Sequence, residues 1–348
     1  MKQKLTALTL ALLLLLTAAG CAQTPPAPTT EPSAAPSEEA TAPAETAEPS
    51  AAPEAGIDLT ILYEQDDSMI NTYSLLAVDE TAPFTDADGK AVSDVDINTV
   101  GAKALIDWML SEEGTGLIRD YGYADYGEYL FYLKDDRPVS TAEIPQAEDA
   151  TRTIRLSTTT SVNDSGLLGY LLPRFEEEYG YKVEVSSAGT GKAIAAAQYG
   201  NADLILVHSK SQEEAFVEAG FAKTLEGYDS PRLSFMYNYF VLVGPSADPA
   251  GCAGAATVKD AFRLISEGKY TFVSRGDKSG THTKELSLWP EELGITDEAD
   301  SVANYTDWYV YSNAGMGVCL TMAEEMDGYI LSDKATFLTF RANNGQME

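Results

Sequence analysis

The sequence is short of positive charge. Lys and Arg number 23 against 54 Asp and Glu, a formal net charge of −31. That balance argues against nucleic acid and anionic membrane surfaces as partners, because both need a basic face to bind. Histidine is scarcer still, with only His208 and His282. Neither belongs to a Ser-Asp constellation in the sequence, so His282 reads as structural, and no cluster carries metal-ligand spacing, so no cofactor or metal is expected. Cysteines number 3. Cys252 and Cys319 could pair outside the cytoplasm, while the apolar helical surroundings of Cys319 equally suit a core thiol.

The apolar run Leu8–Thr17 follows Lys2 and Lys4 and precedes Ala18, Ala19, Gly20 and Cys21. Its length and flanks predict a secretory signal over 1–20 rather than a spanning helix. A Cys just after small residues predicts a lipobox, with Cys21 as the lipidated first residue of an extracytoplasmic protein anchored to the bacterial cell membrane. Stable anchoring needs more than one acyl chain, since each buried CH₂ contributes about 0.8 kcal/mol. Beyond Cys21, residues 22–56 are almost entirely Ala, Pro, Thr, Ser and Glu, without Lys or Arg, within a 21–56 linker. This composition predicts a disordered tether, reaching on the order of 100 Å at about 3.1 Å per residue.

The remaining residues are enough for two lobes with cores. Two stretches carry the chemistry. Tyr270 to Val273 reads as a strand, followed by Ser274-Arg275-Gly276-Asp277-Lys278-Ser279-Gly280-Thr281 and a helix bearing Leu286 and Trp289 on one side. Free N–H groups at such a helix start favour an anion, and the Arg275 guanidinium can grip two anion oxygens. Ile154 to Ser157 reads as a second strand, running through the hydroxyl-rich turn Thr158–Ser161 into a helix through Leu167, Leu171 and Phe175. Two donor-lined seats in an α/β chain suggest facing lobes with one ligand between them. Around them, alternating strands (182–186, 204–207) and helices (192–199, 211–219) predict a parallel sheet, whose ligands sit at the carboxyl ends of the strands. Asp203 is expected to end a strand, where it could meet a protonated ligand. The Asp-Ala-Asp-Gly at 86–89 reads as a solvated turn, since its downstream spacing does not match a calcium loop.

Several long motifs in order resemble the periplasmic tungstate-binding proteins of ABC importers: Ser-Thr-Thr-Thr-Ser (157–161), Asp-Ser-Gly-Leu-Leu (164–168), Gly-Thr-Gly-Lys-Ala (189–193), Ala-Asp-Leu-Ile-Leu-Val-His (202–208), Met-Tyr-Asn-Tyr-Phe-Val-Leu-Val-Gly-Pro (236–245) and Ser-Arg-Gly-Asp-Lys-Ser-Gly-Thr-His (274–282). The resemblance implies a type II periplasmic binding fold of two α/β lobes around a cleft. It implies capture of tungstate, a tetrahedral dianion, for membrane permease subunits by a monomer that is not an enzyme. The implied contacts are Arg275, hydroxyls or backbone N–H groups of Thr159, Thr160, Ser161, Thr190, Ser279 and Thr281, and the amide of Gly280. Where the family carries a Gly-Gln-Gly-Met-Gly-like run, this chain has Asn313-Ala314-Gly315-Met316-Gly317, which removes any contact by that Gln. Molybdate, sulfate or phosphate are alternative ligands. A lipid-anchored hydrolase using Ser279 or Ser161 with His282, or a sensor that has lost transport, are alternative roles.

One departure concerns chain order. In the family, a segment with Asn-x-Tyr, Ile-Asp-Trp and Ser-x-Glu-Gly lies after the second lobe. Here Asn71-Thr72-Tyr73, Ile106-Asp107-Trp108 and Ser111-Glu112-Glu113-Gly114 precede the first. The expectation is a circular permutant: 57–135 is the displaced segment completing both lobes, 136–151 an exposed linker joining the old ends, 152–238 lobe 1 and 239–342 lobe 2. Permutation requires Ile57 to lie near Asn343.

Overall fold

The structure, a computed structural model, describes residues 57–64 and 66–345. The expected signal peptide, Cys21 and the tether lie outside the described residues.

Eleven strands and eleven helices follow in chain order. They are β1 (Leu59–Tyr63), β2 (Ile70–Val78), α1 (Thr99–Met109), α2 (Glu112–Asp120), α3 (Tyr123–Tyr126), β3 (Tyr132–Leu133), β4 (Thr153–Thr159), α4 (Thr160–Asp164), α5 (Leu167–Tyr179), β5 (Lys182–Ala188) and α6 (Thr190–Gln198). Next come β6 (Leu204–Val207), α7 (Lys210–Glu218), β7 (Ala222–Lys223), β8 (Leu233–Pro245), α8 (Val258–Gly268), β9 (Phe272–Ser274), α9 (Gly280–Leu286), β10 (Tyr309–Tyr311), α10 (Met316–Glu325), β11 (Tyr329–Asp333) and α11 (Lys334–Ala342).

The long strands β2 and β8 are the spine. They pair antiparallel from Ile70↔Tyr239 to Leu75↔Leu233. On one side β2 continues onto β6, then β4 and β5, building lobe 1 as a largely parallel sheet. On the other side the distal half of β8 pairs with β11, which pairs with β9 and then β10, building lobe 2. β1 pairs antiparallel with the same distal half of β8, Leu59↔Pro245 to Tyr63↔Leu242. The whole sheet runs β10-β9-β11-β8-β2-β6-β4-β5.

Period-two alternation makes this a layered fold. Leu75, Ala77, Leu204 and Leu206 face one core, while their neighbours Leu76, Val78, Ile205 and Val207 face another. In lobe 2, Val241, Val243 and Ile330 face the first core again, and Phe240, Leu242 and Leu331 face a third, with Phe272, Trp289 and Trp308. One core is therefore shared by both lobes and each lobe has a private core behind it.

The hydroxyl-rich stretch after Ser157 is not a simple turn. β4 extends through Thr159, α4 begins at Thr160, and Gly166 at φ +79 turns the chain into α5. A side chain at Gly166 would lie 2.5 Å from the Tyr121 hydroxyl, so glycine is required twice over. The helix after Ser279 stops at Leu286, leaving Trp289 beyond its end, as Pro290 disfavours helical backbone in the residue before it. Residues 136–151 hold no helix or strand but are not an exposed loop throughout. Ser140 N–H donates to Leu110 O at 3.0 Å and Ala147 N–H to Tyr179 O at 2.8 Å, while Ile144 packs against the shared core. Cys252 and Cys319 are both free and buried. They sit in different cores, so they do not pair.

Candidate functional site

Both donor stretches end at the lobe interface. Arg275 follows β9 and is 2% exposed. Its guanidinium is divided among partners. Nε donates to the Ala314 carbonyl at 2.9 Å, within lobe 2. Nη2 donates to Asp277 Oδ2 at 2.5 Å and, across the cleft, to Thr160 Oγ1 at 3.2 Å. A second cross-lobe bond runs from Gly280 N–H to Thr190 Oγ1 at 3.3 Å. Gly189 in lobe 1 backs onto Asp277, whose Oδ2 would lie 3.2 Å from any added Cβ. The lobes are closed on one another, and Thr159, Ser161, Thr190, Ser279 and Thr281 are all buried.

The sequence-derived residues play unequal parts in this arrangement. Arg275, Thr160, Thr190 and Gly280 touch directly across the cleft. Ser279 caps α9, its hydroxyl accepting from His282 N–H at 3.2 Å, so its side chain is spent locally. Thr281 Oγ1 is buried without a partner among the described residues. A buried hydroxyl left unpaired costs on the order of 1–3 kcal/mol. Thr159 Oγ1 lies 3.1 Å from Ser161 Oγ, which lies 3.0 Å from His208 Nε2.

Sequence reasoning missed several groups. Asp277 shares Arg275 and also accepts Ser279 N–H at 3.1 Å, so the guanidinium meets any ligand as half of an ion pair. His208, at the end of β6, has Nδ1 2.8 Å from Asn71 Oδ1 on β2. Asn71 Nδ2 donates to Tyr73 Oη at 2.8 Å and to Asn238 Oδ1 on β8 at 2.9 Å. Asn238 Nδ2 donates to Asp333 Oδ1 at 3.3 Å, at the junction of β11 and α11. The signal for these was present only as polar residues inside apolar strand runs, a pattern sequence alone reads as tolerated exceptions.

Asp203 is corrected. It precedes β6 rather than ending a strand, which puts it at the end of the sheet away from the seat. There it is buried, accepting Arg155 Nη2 at 2.5 Å and Asn98 N–H at 2.9 Å. The arrangement is structural: an ion pair and a backbone donor close the open end of lobe 1.

Electrostatics separate binding from catalysis. Burial pushes His208 down to about 3, aided by the nearby Arg275 charge and opposed by Asp277. Ser161, His208 and Asn71 therefore form a hydrogen-bonded line whose imidazole is held neutral and weakly basic, which suits hydrogen bonding better than general-base work. His282 is also lowered by burial, its Nδ1 accepts Lys278 N–H at 3.1 Å, and its Nε2 has no partner among the described residues, so no serine is hydrogen-bonded to its ring. Asp333 is wholly buried and is raised to about 6 by desolvation, with Asp164 adding to the rise and the Thr336 N–H bond and Arg275 opposing it. Beside the sealed seat, a groove of about 1070 Å³ runs along the lobe junction past His208, Ser209, Gly280, Thr283 and Lys284.

Residues 145–347 match the family described as the PBP superfamily domain. Over 210 residues the chain is 46% identical to the tungstate-binding protein TupA of Peptoclostridium acidaminophilum, spanning 60% of this chain and 67% of that protein. It is 38% identical over 183 residues to the tungstate-binding protein TupA of Campylobacter jejuni, spanning 53% of this chain and 62% of the relative. A solved structure of the tungstate ABC transporter from Geobacter sulfurreducens is similar at 41% identity, covering 56% of this chain and 78% of that one with a TM-score of 0.46.

Proposed function

The chain belongs to the PBP superfamily domain family, and on that premise we propose that it captures tungstate between its lobes and presents it to the permease subunits of an ABC importer. The observation that carries the reading is the closed junction: a buried guanidinium, a buried hydroxyl without a partner on Thr281, and direct bonds from Arg275 and Gly280 across the cleft. Relatives named for tungstate binding support the choice of anion. Tungstate has four oxygens and at neutral pH no proton to give, so a site of donors suits it. Each hydrogen bond to a charged group contributes about 1.5–3 kcal/mol, and half a dozen in a dry seat give nanomolar affinity after desolvation. The ligand contacts are Arg275, Thr159, Thr160, Ser161, Thr190, Ser279, Gly280 and Thr281. Ser279 stands at the edge of this set, its hydroxyl given to His282 N–H and its own N–H to Asp277, while the Ser161 hydroxyl faces the ligand from beside His208.

Closure of such lobes is a hinge motion, and β2 and β8 are the strands that cross between them. Cys21 would carry the lipid that holds the receptor at the extracytoplasmic face as a monomer. Among the described residues no helix is long and apolar enough to cross a membrane. Calorimetric titration with tungstate, molybdate, sulfate and phosphate tests the ligand. Tungstate at nanomolar affinity supports the reading, and tighter phosphate binding overturns it.

The chain order is proposed to be permuted. The family match begins at residue 145, yet β1 and β2 from before it pair with β8. Ile57 Cδ1 would lie 3.0 Å from a methyl on Gly345, and Asp58 N–H donates to Glu324 Oε1 at 2.9 Å. A rearranged gene that joins Gly345 to Ile57 and opens the chain within 136–145 should fold and bind the same anion. An insoluble product that binds nothing would count against permutation.

A further inference from the structure

Five buried side chains form one hydrogen-bonded line from lobe 1, through both crossing strands, into lobe 2. The line runs Ser161, His208, Asn71, Asn238, Asp333, with distances of 3.0, 2.8, 2.9 and 3.3 Å. Tyr73 sits beside its middle, 2.8 Å from Asn71 Nδ2 and 3.2 Å from Asn238 Oδ1. Each member has both a donor and an acceptor end except Asp333, which when ionised can only accept. The last group therefore fixes the direction of the rest.

The direction with ionised Asp333 follows link by link. Asn238 must turn Nδ2 to Asp333, so its Oδ1 faces Asn71. Asn71 then gives Nδ2 to Asn238, so its Oδ1 faces His208. His208 must carry its hydrogen on Nδ1, and since burial keeps the ring neutral, Nε2 is bare. Ser161 accordingly donates its hydroxyl hydrogen to Nε2 and shows the seat only a lone pair. With a proton on Asp333 Oδ1, which keeps a lone pair for the Thr336 N–H, every link can reverse. Asp333 donates to Asn238 Oδ1, Asn238 Nδ2 to Asn71 Oδ1, Asn71 Nδ2 to His208 Nδ1, and His208 Nε2–H to Ser161 Oγ. Two amides turn over, the Tyr73 hydroxyl turns to Asn71 Oδ1, and the imidazole changes tautomer. The net chemistry is one proton gained from solvent. The Ser161 hydrogen is released from His208 and can turn to a bound anion in place of Thr159 Oγ1, 3.1 Å away.

We propose that Asp333 is a positioning residue that sets, through Asn238, Asn71 and His208, whether the Ser161 hydroxyl offers a bound anion a hydrogen or a lone pair. The protonated form suits a fully ionised oxyanion; the ionised form suits one that retains a proton. This rests on the oxyanion reading of the seat. The setting of Asp333 favours exchange near neutrality. Oδ2 has no partner among the described residues. Facing Asp333 are Asp164 from α4, Tyr73 from β2, Asn238 from β8, the Thr336 N–H of α11 and Arg275 after β9. Burial and Asp164 favour the neutral acid; the Thr336 bond and Arg275 favour the ion. A dianion placed beside Arg275 cancels part of that last effect, so binding should draw a proton onto Asp333.

The experiment reads the His208 tautomer by long-range ¹H–¹⁵N spectra of the full chain, with His282→Asn removing the only other imidazole. In the empty protein the Nδ1–H form is expected at pH 8 and the Nε2–H form near pH 5. In Asp333→Asn the amide oxygen stays under the Thr336 N–H and holds the Nδ1–H form at every pH. Calorimetry with micromolar tungstate, in buffers of differing ionisation enthalpy, should show uptake of one proton at pH 8. Affinity should fall by up to tenfold per pH unit above about 6, and both effects should vanish in Asp333→Asn. Tungstate binding with an unchanging tautomer and no proton uptake overturns the line while leaving the oxyanion reading intact. A tautomer that titrates in a protein ignoring every oxyanion does the reverse.

Discussion

Replacing Arg275 by Lys keeps the charge and removes the fork, which isolates what the guanidinium does. Nε holds the Ala314 carbonyl, and Nη2 holds Asp277 and reaches Thr160 across the cleft. Nη1 has no hydrogen-bond partner among the described residues, and in the proposed reading it meets the ligand. An ammonium is a single point and cannot meet the carbonyl, the carboxylate and an anion together. At least one bond to the ligand and one to the frame should go, each about 1.5–3 kcal/mol. Tungstate affinity, measured by calorimetry, should fall by about 10²-fold or more. The melting temperature of the empty protein should also drop by several degrees, because one ammonium cannot hold Asp277, the Ala314 carbonyl and Thr160 together, and a buried partner is left unpaired beside the interface. These contacts make Arg275 part of the frame between the lobes as well as of the seat. Binding within threefold of the parent would refute the assignment of the fork to the ligand.

Gly280→Ala places a Cβ 2.6 Å from His208 Cε1 across the cleft, so closure should be opposed by about 1–3 kcal/mol; scattering should show a more open form and tungstate affinity should fall roughly 5- to 150-fold. Glu285, wholly buried beneath Ser274, Trp289 and Tyr309, is raised by burial to about 7. Its neutral form is favoured on folding, so its stabilisation is full below the unfolded value near 4.5 and is lost as pH rises through 7. Denaturant unfolding should therefore weaken by about 3 kcal/mol over that window, and Glu285→Gln should flatten that part of the profile. Burial raises both thiols, Cys252 to about 12; neither should react with a thiol reagent until denaturant is added, and rapid labelling of the native protein would contradict their placement.

The sequence showed a good deal of this architecture because its signals are local. Leu204–Val207 and Val241–Val243 are apolar runs bounded by turn residues, and they are buried strands. Thr160, Thr190, Arg275 and Gly280 stood out because hydroxyls, glycines and an Arg cluster at strand ends. The rest was hidden for a physical reason. Asn71, His208, Asn238 and Asp333 lie 137, 30 and 95 residues apart in consecutive order, and only the crossing of β2 and β8 brings them into contact. The opposite character of Asp203 and Asp333 was equally invisible. Both are buried carboxylates at strand ends, but one meets Arg155 and the other meets an amide, with Oδ2 unpartnered among the described residues.

Asn71 and Asn238 occupy the two strands that every rotation between the lobes must shear. The joint is therefore not a passive pivot. Whatever angle the halves adopt is felt by an amide pair whose orientation also depends on a distant acid, so mechanical opening and chemical state are read by the same few atoms. A receptor built this way could report that it is loaded by how stiffly it bends, as well as by its shape.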